Sequence, residues 1–217
     1  ESSRRDFIKA ASVTATGVAI TSQLARTVHA QGSDEIRFAM VGCGGRGTGA
    51  AEQIMNSKGK TKLVAVADAF EKNATSSLNQ LSRKHKDKVD VPEDRMFTGL
   101  DAYKKAIDVD CDLVIIATPP GYKPQQFEYA VNKGKHVFME KPPGATVSEV
   151  QDLIGLAQQK SVSLFASWHS RYAPAVEAAK KFLASTRIRS ARIVWKEDVR
   201  RWHPNQDWIW QAGGLGV

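Results

Sequence analysis

From residue 35 onward, short apolar runs alternate with stretches of helical periodicity. The runs IRFAMV (36–41), KLVAVAD (62–68), DLVIIAT (112–118), HVFME (136–140) and VSLFAS (162–167) are rich in Val, Ile and Phe. They lack strict apolar–polar alternation, the pattern of strands covered on both faces. A weaker strand is expected at 95–97. Helical patterns fill the intervals at 48–57, 69–86, 100–107, 124–133 and 146–160. Strands alternating with helices through short connections predict an α/β fold, a doubly wound parallel sheet with helices on both sides.

A chain of 217 residues has room for one generous domain and the start of another. We therefore expect one domain over 31–167 and the beginning of a second over 168–217. One or two strands of that domain are expected around 188–199, too few to cover a sheet face and so poorly supported. Net charge is +8, but part lies in the first thirty residues and the RKHKDK cluster at 83–88 also contains Asp87. A dispersed excess reads as solvated surface that attracts phosphate-bearing ligands, not as a nucleic-acid footprint. Cys43 and Cys111 fall beside apolar runs and are expected to be small buried fillers, not a redox pair. No CxxC or His/Cys ligand spacing occurs, so no metal is expected.

The first thirty residues have the layout of an export signal. A charged start leads to a weakly apolar middle over 10–25 and then to Val28-His29-Ala30 before Gln31. Arg4-Arg5 followed by Asp6-Phe7-Ile8-Lys9 matches a twin-arginine signal, which a receptor reads. Export to the periplasm is the expectation, with the twin-arginine machinery as a partner, no stable membrane insertion, and a cytoplasmic location as the alternative.

Gly42-x-Gly44-x-x-Gly47 lies between the first strand and the first helix, the setting that gives a GxGxxG motif meaning. Gly42 permits a tight turn, Gly44 lets backbone approach a pyrophosphate, and Gly47 lets the helix pack close to the sheet. The helix N-terminus then offers free N–H groups and partial positive charge to phosphates. Asp68 ends the second strand, 21 positions after Gly47, where a carboxylate accepts hydrogen bonds from an adenosine ribose. It also repels a 2′-phosphate, so NAD is expected over NADP.

ATPPGYKP (117–124) follows the next long strand at the edge where ligands bind such sheets. Thr118 and Pro119 either line the nicotinamide side or simply make a rigid turn. Glu140-Lys141-Pro142 ends another strand, where an ammonium could bind a substrate hydroxyl and stabilise an oxyanion. All five tryptophans follow residue 167, interleaved with polar groups in SWHSRY (167–172) and in 194–214. Aromatic faces beside polar groups suit a sugar, but plain core or a subunit interface fits the composition as well.

Together the glycine loop, Asp68, ATPP and GKHVFMEKP resemble the Gfo/Idh/MocA family of glucose–fructose oxidoreductases and inositol dehydrogenases. The likeness runs from 35 to 217, and Glu-Lys-Pro is its most specific mark. It implies a Rossmann domain followed by an α/β domain with an open, mostly antiparallel sheet, and an NAD or NADP cofactor. Gly42, Gly44, Gly45, Arg46, Gly47, Asp68, Thr118, Pro119, Glu140 and Lys141 would hold that cofactor. Lys141 would also contact substrate as the catalytic residue, and Pro142 would often be cis.

EKPPGAT, SWHSR and WKEDVRRWHPNQDWIWQAGGLGV resemble the aldose 1-dehydrogenase branch of that family. His169, Glu197, Trp202, His203 and Trp208 are by this likeness candidates for binding a sugar. The implied reaction takes hydride from the anomeric carbon of a pyranose and yields an aldonolactone. The branch's Asp and Asn that act on the anomeric hydroxyl lie past the position of Val217, so the given chain is expected to be an N-terminal part of a homo-oligomeric enzyme. The export signal, VGCGGRGTGA and VAVADAF instead resemble a secreted branch. An NAD-dependent glycosidase and a non-catalytic sugar sensor are the alternatives.

Overall fold

Buried runs become strands whose side chains divide between two faces, because successive residues of a strand point in opposite directions. The computed structural model describes residues 34–144 and 146–192, together with 194, 196, 198 and 201. In chain order its elements are β1 (Glu35–Val41), α1 (Gly45–Met55), β2 (Lys60–Asp68), α2 (Glu71–Lys84), β3 (Met96–Thr98), α3 (Ala102–Asp108), β4 (Leu113–Ile116), α4 (Lys123–Asn132), β5 (His136–Met139), α5 (Val147–Gln159), β6 (Leu164–Ala166) and α6 (Val176–Ala184). The six strands form one sheet in the order β3-β2-β1-β4-β5-β6, every pairing parallel. The order reverses between β1 and β4, and in such sheets the crevice beyond the strands' carboxyl ends at that point holds the ligand.

Phe38 and Met40 of β1 join Leu63, Val66 and Ile115 on one face, under Ala50, Ala51 and Met55 of α1 and Ala74 and Leu81 of α2. Ala39 and Val41 join Val114 and Ile116 on the other, under Ala106 and Ile107 of α3, Phe127 and Val131 of α4, and Leu153 of α5. An irregularity between Phe38 and Ala39 shifts the β1–β2 register by one residue. Val64 and Ala65 therefore both belong to the second face, as a bulge permits. Each fully buried large side chain such as Phe38 or Phe127 contributes about 1.5–3 kcal/mol.

Between residues 35 and 167 the expected strands and helices are present, with shifted ends. The first helix begins at Gly45 rather than Thr48, so Gly47 lies inside it and the Thr48 N–H already donates to the Gly44 carbonyl at 2.9 Å. Helix α5 begins after Thr146, whose hydroxyl accepts from the Glu149 N–H at 3.2 Å as an N-cap. Around 188–199, the described residues 188–192, 194, 196 and 198 lie in no strand, contrary to expectation. None of the described strands pairs with them, and a strand without a partner leaves its backbone groups unsatisfied. Helix α6 buries none of its side chains, and Phe182 and Leu183 stay exposed. The export segment at 1–30 lies outside the described residues.

Candidate active site

Parallel pairing brings the carboxyl ends of four strands to one edge. Val41 sits beside Ala67 on one side and Ile116 on the other, and Ile116 sits beside Met139. The ladder runs one step further: the Gly42 N–H donates to the Ala67 carbonyl at 2.8 Å, Ala117 to Val41 at 2.8 Å, and Glu140 to Ile116 at 2.9 Å. The glycine loop, the Thr118-Pro119 loop and the Glu-Lys-Pro turn thus leave the sheet side by side, with Asp68 next in the row.

Gly42 has φ +93°, and a Cβ there would stand 2.8 Å from the Ala117 carbonyl carbon. A Cβ on Gly47 would stand 1.8 Å from the Gly42 oxygen, which no side chain tolerates. These two glycines press α1 onto its own loop and onto the end of β4. Gly44 and Gly45 differ, because a Cβ at either meets nothing within 4 Å. Both are exposed, as is Arg46. They border a polar cleft of about 260 Å³ lined also by Cys43, Thr48, Asn73, Ser76, Ser77 and Gln80. A larger apolar groove of about 300 Å³, between α5 and β6, carries no titratable side chain.

Asp68 ties the loop down. One carboxylate oxygen accepts from the Cys43 N–H at 2.7 Å, and the other from the Phe70 N–H at 2.9 Å and Asn73 Nδ2 at 3.1 Å. A carboxylate offers about four acceptor positions, so roughly one remains for a ribose hydroxyl. Cys43 is buried beside it, and burial together with the Asp68 charge pushes its thiol up to about 12. A dinucleotide fits these residues. The open space over Gly44 and Gly45 admits a pyrophosphate to backbone, the start of α1 faces it, and Asp68 retains acceptor capacity.

Two side chains grip the Glu-Lys-Pro turn. The buried Glu140 carboxylate accepts a hydrogen bond from Arg46 Nη2, joining the turn to the first turn of α1. The Nζ of Lys123, at the start of α4, donates to the carbonyls of Glu140 at 2.5 Å, Lys141 at 3.2 Å and Pro142 at 2.8 Å. Lys123 is only 1% exposed. Burial lowers its pKa to about 8 from the usual 10.5, with Glu140 opposing the shift and Lys141 adding to it. Lys141 itself is exposed, and the Lys141–Pro142 peptide is cis, as the family resemblance implied.

The structure thus brings together Gly42, Gly44, Gly45, Arg46, Gly47, Asp68, Thr118, Pro119, Glu140 and Lys141. Pro119 is exposed, while the Thr118 hydroxyl donates to Gln126 Oε1 at 2.6 Å. The backbone of His169 lies in a short helical turn beyond β6. Glu197, Trp202, His203 and Trp208 lie outside the described residues. Sequence reasoning missed Lys123, Gln126 and Asn73. Nothing in GYKPQQ marks its lysine as buried, since a lysine between polar residues reads as solvated surface.

Residues 36–167 match the model of the oxidoreductase family with an NAD-binding Rossmann fold. The galactose 1-dehydrogenase of Pseudomonas fluorescens is 43% identical over 106 residues, 49% of this chain and 34% of that protein. A glycosyl hydrolase family 109 protein of Bacteroides fragilis is 34% identical over 128 residues, 58% of this chain and 26% of that one. Among solved structures, the D-galactose-1-dehydrogenase protein from Rhizobium etli superposes with TM-score 0.62 at 46% identity, over 85% of this chain and 53% of that one. The matched region spans about a third of the Pseudomonas protein and about half of the Rhizobium one. A glycine loop open to phosphate, an acid ending β2 and a lysine-bearing cis turn after β5, together with a family match over most of the sheet, lead to one conclusion: the chain belongs to the Gfo/Idh/MocA oxidoreductase family and carries its NAD-binding Rossmann fold.

Proposed function

We propose that the protein is a sugar dehydrogenase that oxidises an aldopyranose at its anomeric carbon, with NAD preferred over NADP, giving the aldonolactone. The observation that carries this reading is the position of Lys141. It stands exposed on a turn that Arg46 and Glu140 tie to the glycine loop, so a substrate meeting Lys141 also meets the nicotinamide end of a dinucleotide held by that loop. The 46% identity to a D-galactose-1-dehydrogenase protein supports an aldose as the substrate class.

The bound cofactor supplies the acceptor for the hydride leaving C1. The chain's own residues hold and orient. The free N–H groups opening α1 and the bare backbone of Gly44 and Gly45 bind pyrophosphate, and Asp68 accepts from the ribose. Lys141 donates to the anomeric oxygen and stabilises its developing negative charge as the hydroxyl proton departs to a base and the C1=O bond forms.

A panel of aldoses offered with NAD and with NADP to the full-length protein tests the proposal. Reduced nicotinamide should accumulate with at least one hexose or pentose, and none from any aldose would sink it. The likeness to a glycosyl hydrolase family 109 protein favours one second reading, a hydrolase that keeps its cofactor. Glycoside cleavage without net reduced nicotinamide would select it.

Asp68→Ala should lower the NAD-to-NADP preference by at least about tenfold, or 1.4 kcal/mol. It removes the group that repels a 2′-phosphate, and it also frees the Cys43 N–H, so melting temperature should fall as well. An unchanged preference ratio would remove Asp68 from the ribose site.

A further inference from the structure

We propose that Lys123 is a positioning residue of the active site: its ammonium, spent entirely on the carbonyls of Glu140, Lys141 and Pro142, fixes the backbone from which Lys141 reaches the substrate. The inference rests on the reading of Lys141 given above and adds the group that places it.

An ammonium has three donors and no acceptor. All three of Lys123 go to three consecutive carbonyls of one turn, so none is left for substrate or cofactor. Those carbonyls converge on one point, since a single nitrogen reaches all three. Without Lys123, three acceptors of one turn lose this donor at once, and the buried Glu140 carbonyl among them is costly to leave unpaired, which drives a local rearrangement. The Glu140 side chain is meanwhile held by Arg46. The two clamps differ in kind: Arg46 anchors a side chain to the nucleotide loop, whereas Lys123 anchors the main chain to α4. Losing Lys123 leaves the glycine loop untouched and lets Lys141 drift. A displacement of about 1 Å at a reacting group costs on the order of 100-fold in rate.

The charged groups that act on this ammonium are Glu140, which favours its protonated form, and Lys141, which opposes it. The sign of the pH effect separates two quantities. Because folding depresses the Lys123 pKa, its contribution to global stability increases as pH climbs from about 8 to 10.5. The grip on the turn moves the other way, since a neutral amine has two N–H donors for three carbonyls. The test is therefore read at the turn and not on melting temperature.

The experiment uses full-length parent, Lys123→Met and Lys123→Arg. Amide hydrogen exchange at Glu140, Lys141 and Gly144 is followed against residues 42–48 as internal reference, together with NAD affinity and aldose turnover. In Lys123→Met, turn exchange should rise about tenfold or more relative to the reference, NAD affinity should stay within about threefold, and kcat should fall about 100-fold. Lys123→Arg, which keeps a cation, should return kcat to within about tenfold of parent. Unchanged turn exchange, or parallel losses of NAD affinity and kcat, would overturn the proposal. If the methionine variant does not fold, Lys123→Gln, which keeps a shorter two-donor amide at the same position, takes its place, and unchanged turn exchange relative to residues 42–48 in that variant overturns the proposal. Should the parent oxidise no aldose, a rise in turn exchange still establishes the anchor, and the failure belongs to the proposed function.

Discussion

Gly47→Ala is expected to abolish NAD binding and to destabilise the fold by about 3 kcal/mol or more, at the upper end of what overpacking costs. The added methyl would stand 1.8 Å from the Gly42 oxygen and 3.3 Å from the Ala117 Cβ. The nearest obstacle is backbone, which cannot rotate aside, so α1 must lift from the sheet. That lift pulls apart the cluster that Ala50, Ala51 and Met55 make with β1 and β2. At 2–4 °C per kcal/mol for a protein of this size, melting temperature should drop by about 6–12 °C. Gly44→Ala supplies the contrast. Its φ of −69° suits alanine, and nothing lies within 4 Å of the added methyl. Melting temperature should hold, while NAD affinity falls about tenfold or more because the methyl occupies the space a pyrophosphate needs. Thermal unfolding and NAD titration on both variants check the pair. A Gly47→Ala protein that melts and binds like the parent would show that the loop does not cradle phosphate.

Lys141→Ala in the full-length protein should lower aldose turnover by roughly a thousandfold while leaving NAD affinity within a few-fold. The separation follows from placement. On the proposed reading the dinucleotide is held mainly by the start of α1 and by Asp68, and Lys141 lies outside both. Its side chain is exposed and none of the described hydrogen bonds uses its ammonium, so truncation removes a reaction partner and not a packing element. Steady-state kinetics with NAD titration decide it. Turnover within tenfold of the parent would remove Lys141 from the mechanism. A parallel collapse of NAD affinity would make it a cofactor ligand instead.

The sheet was legible because a parallel strand is buried on both faces and has no polar side to blur its pattern; β1 and β4 show this most plainly. Helix starts were harder to place. Glycine is a poor helix former, so the composition of 42–47 argued for a loop, yet packing against Gly42 makes 45–47 the first turn of α1. The cofactor half of the site could be read because its requirements are steric and local: a missing Cβ at Gly42 and Gly47, and an acid at the end of β2. Lys123 could not. Its role depends on a turn 17 to 19 residues away whose carbonyls converge only in three dimensions. The same holds for Arg46 and Glu140, which are 94 residues apart in sequence: each was expected at the cofactor, but their pairing was not. A side chain's partner across a sheet edge leaves no periodic trace.

The thiol of Cys43 sits in the middle of the nucleotide loop, 4% exposed and held up to about 12 by burial and by its acidic neighbour. At neutral pH almost none of it is thiolate, the form that peroxides, alkylating agents and mixed disulfides attack. Its Sγ donates to the Ala67 carbonyl at 3.4 Å, and an oxidant would have to reach it through the polar cleft that Cys43 borders. Burial and the raised pKa together make this thiol a poor target for oxidants, so the integrity of the glycine loop depends little on how reducing its surroundings are.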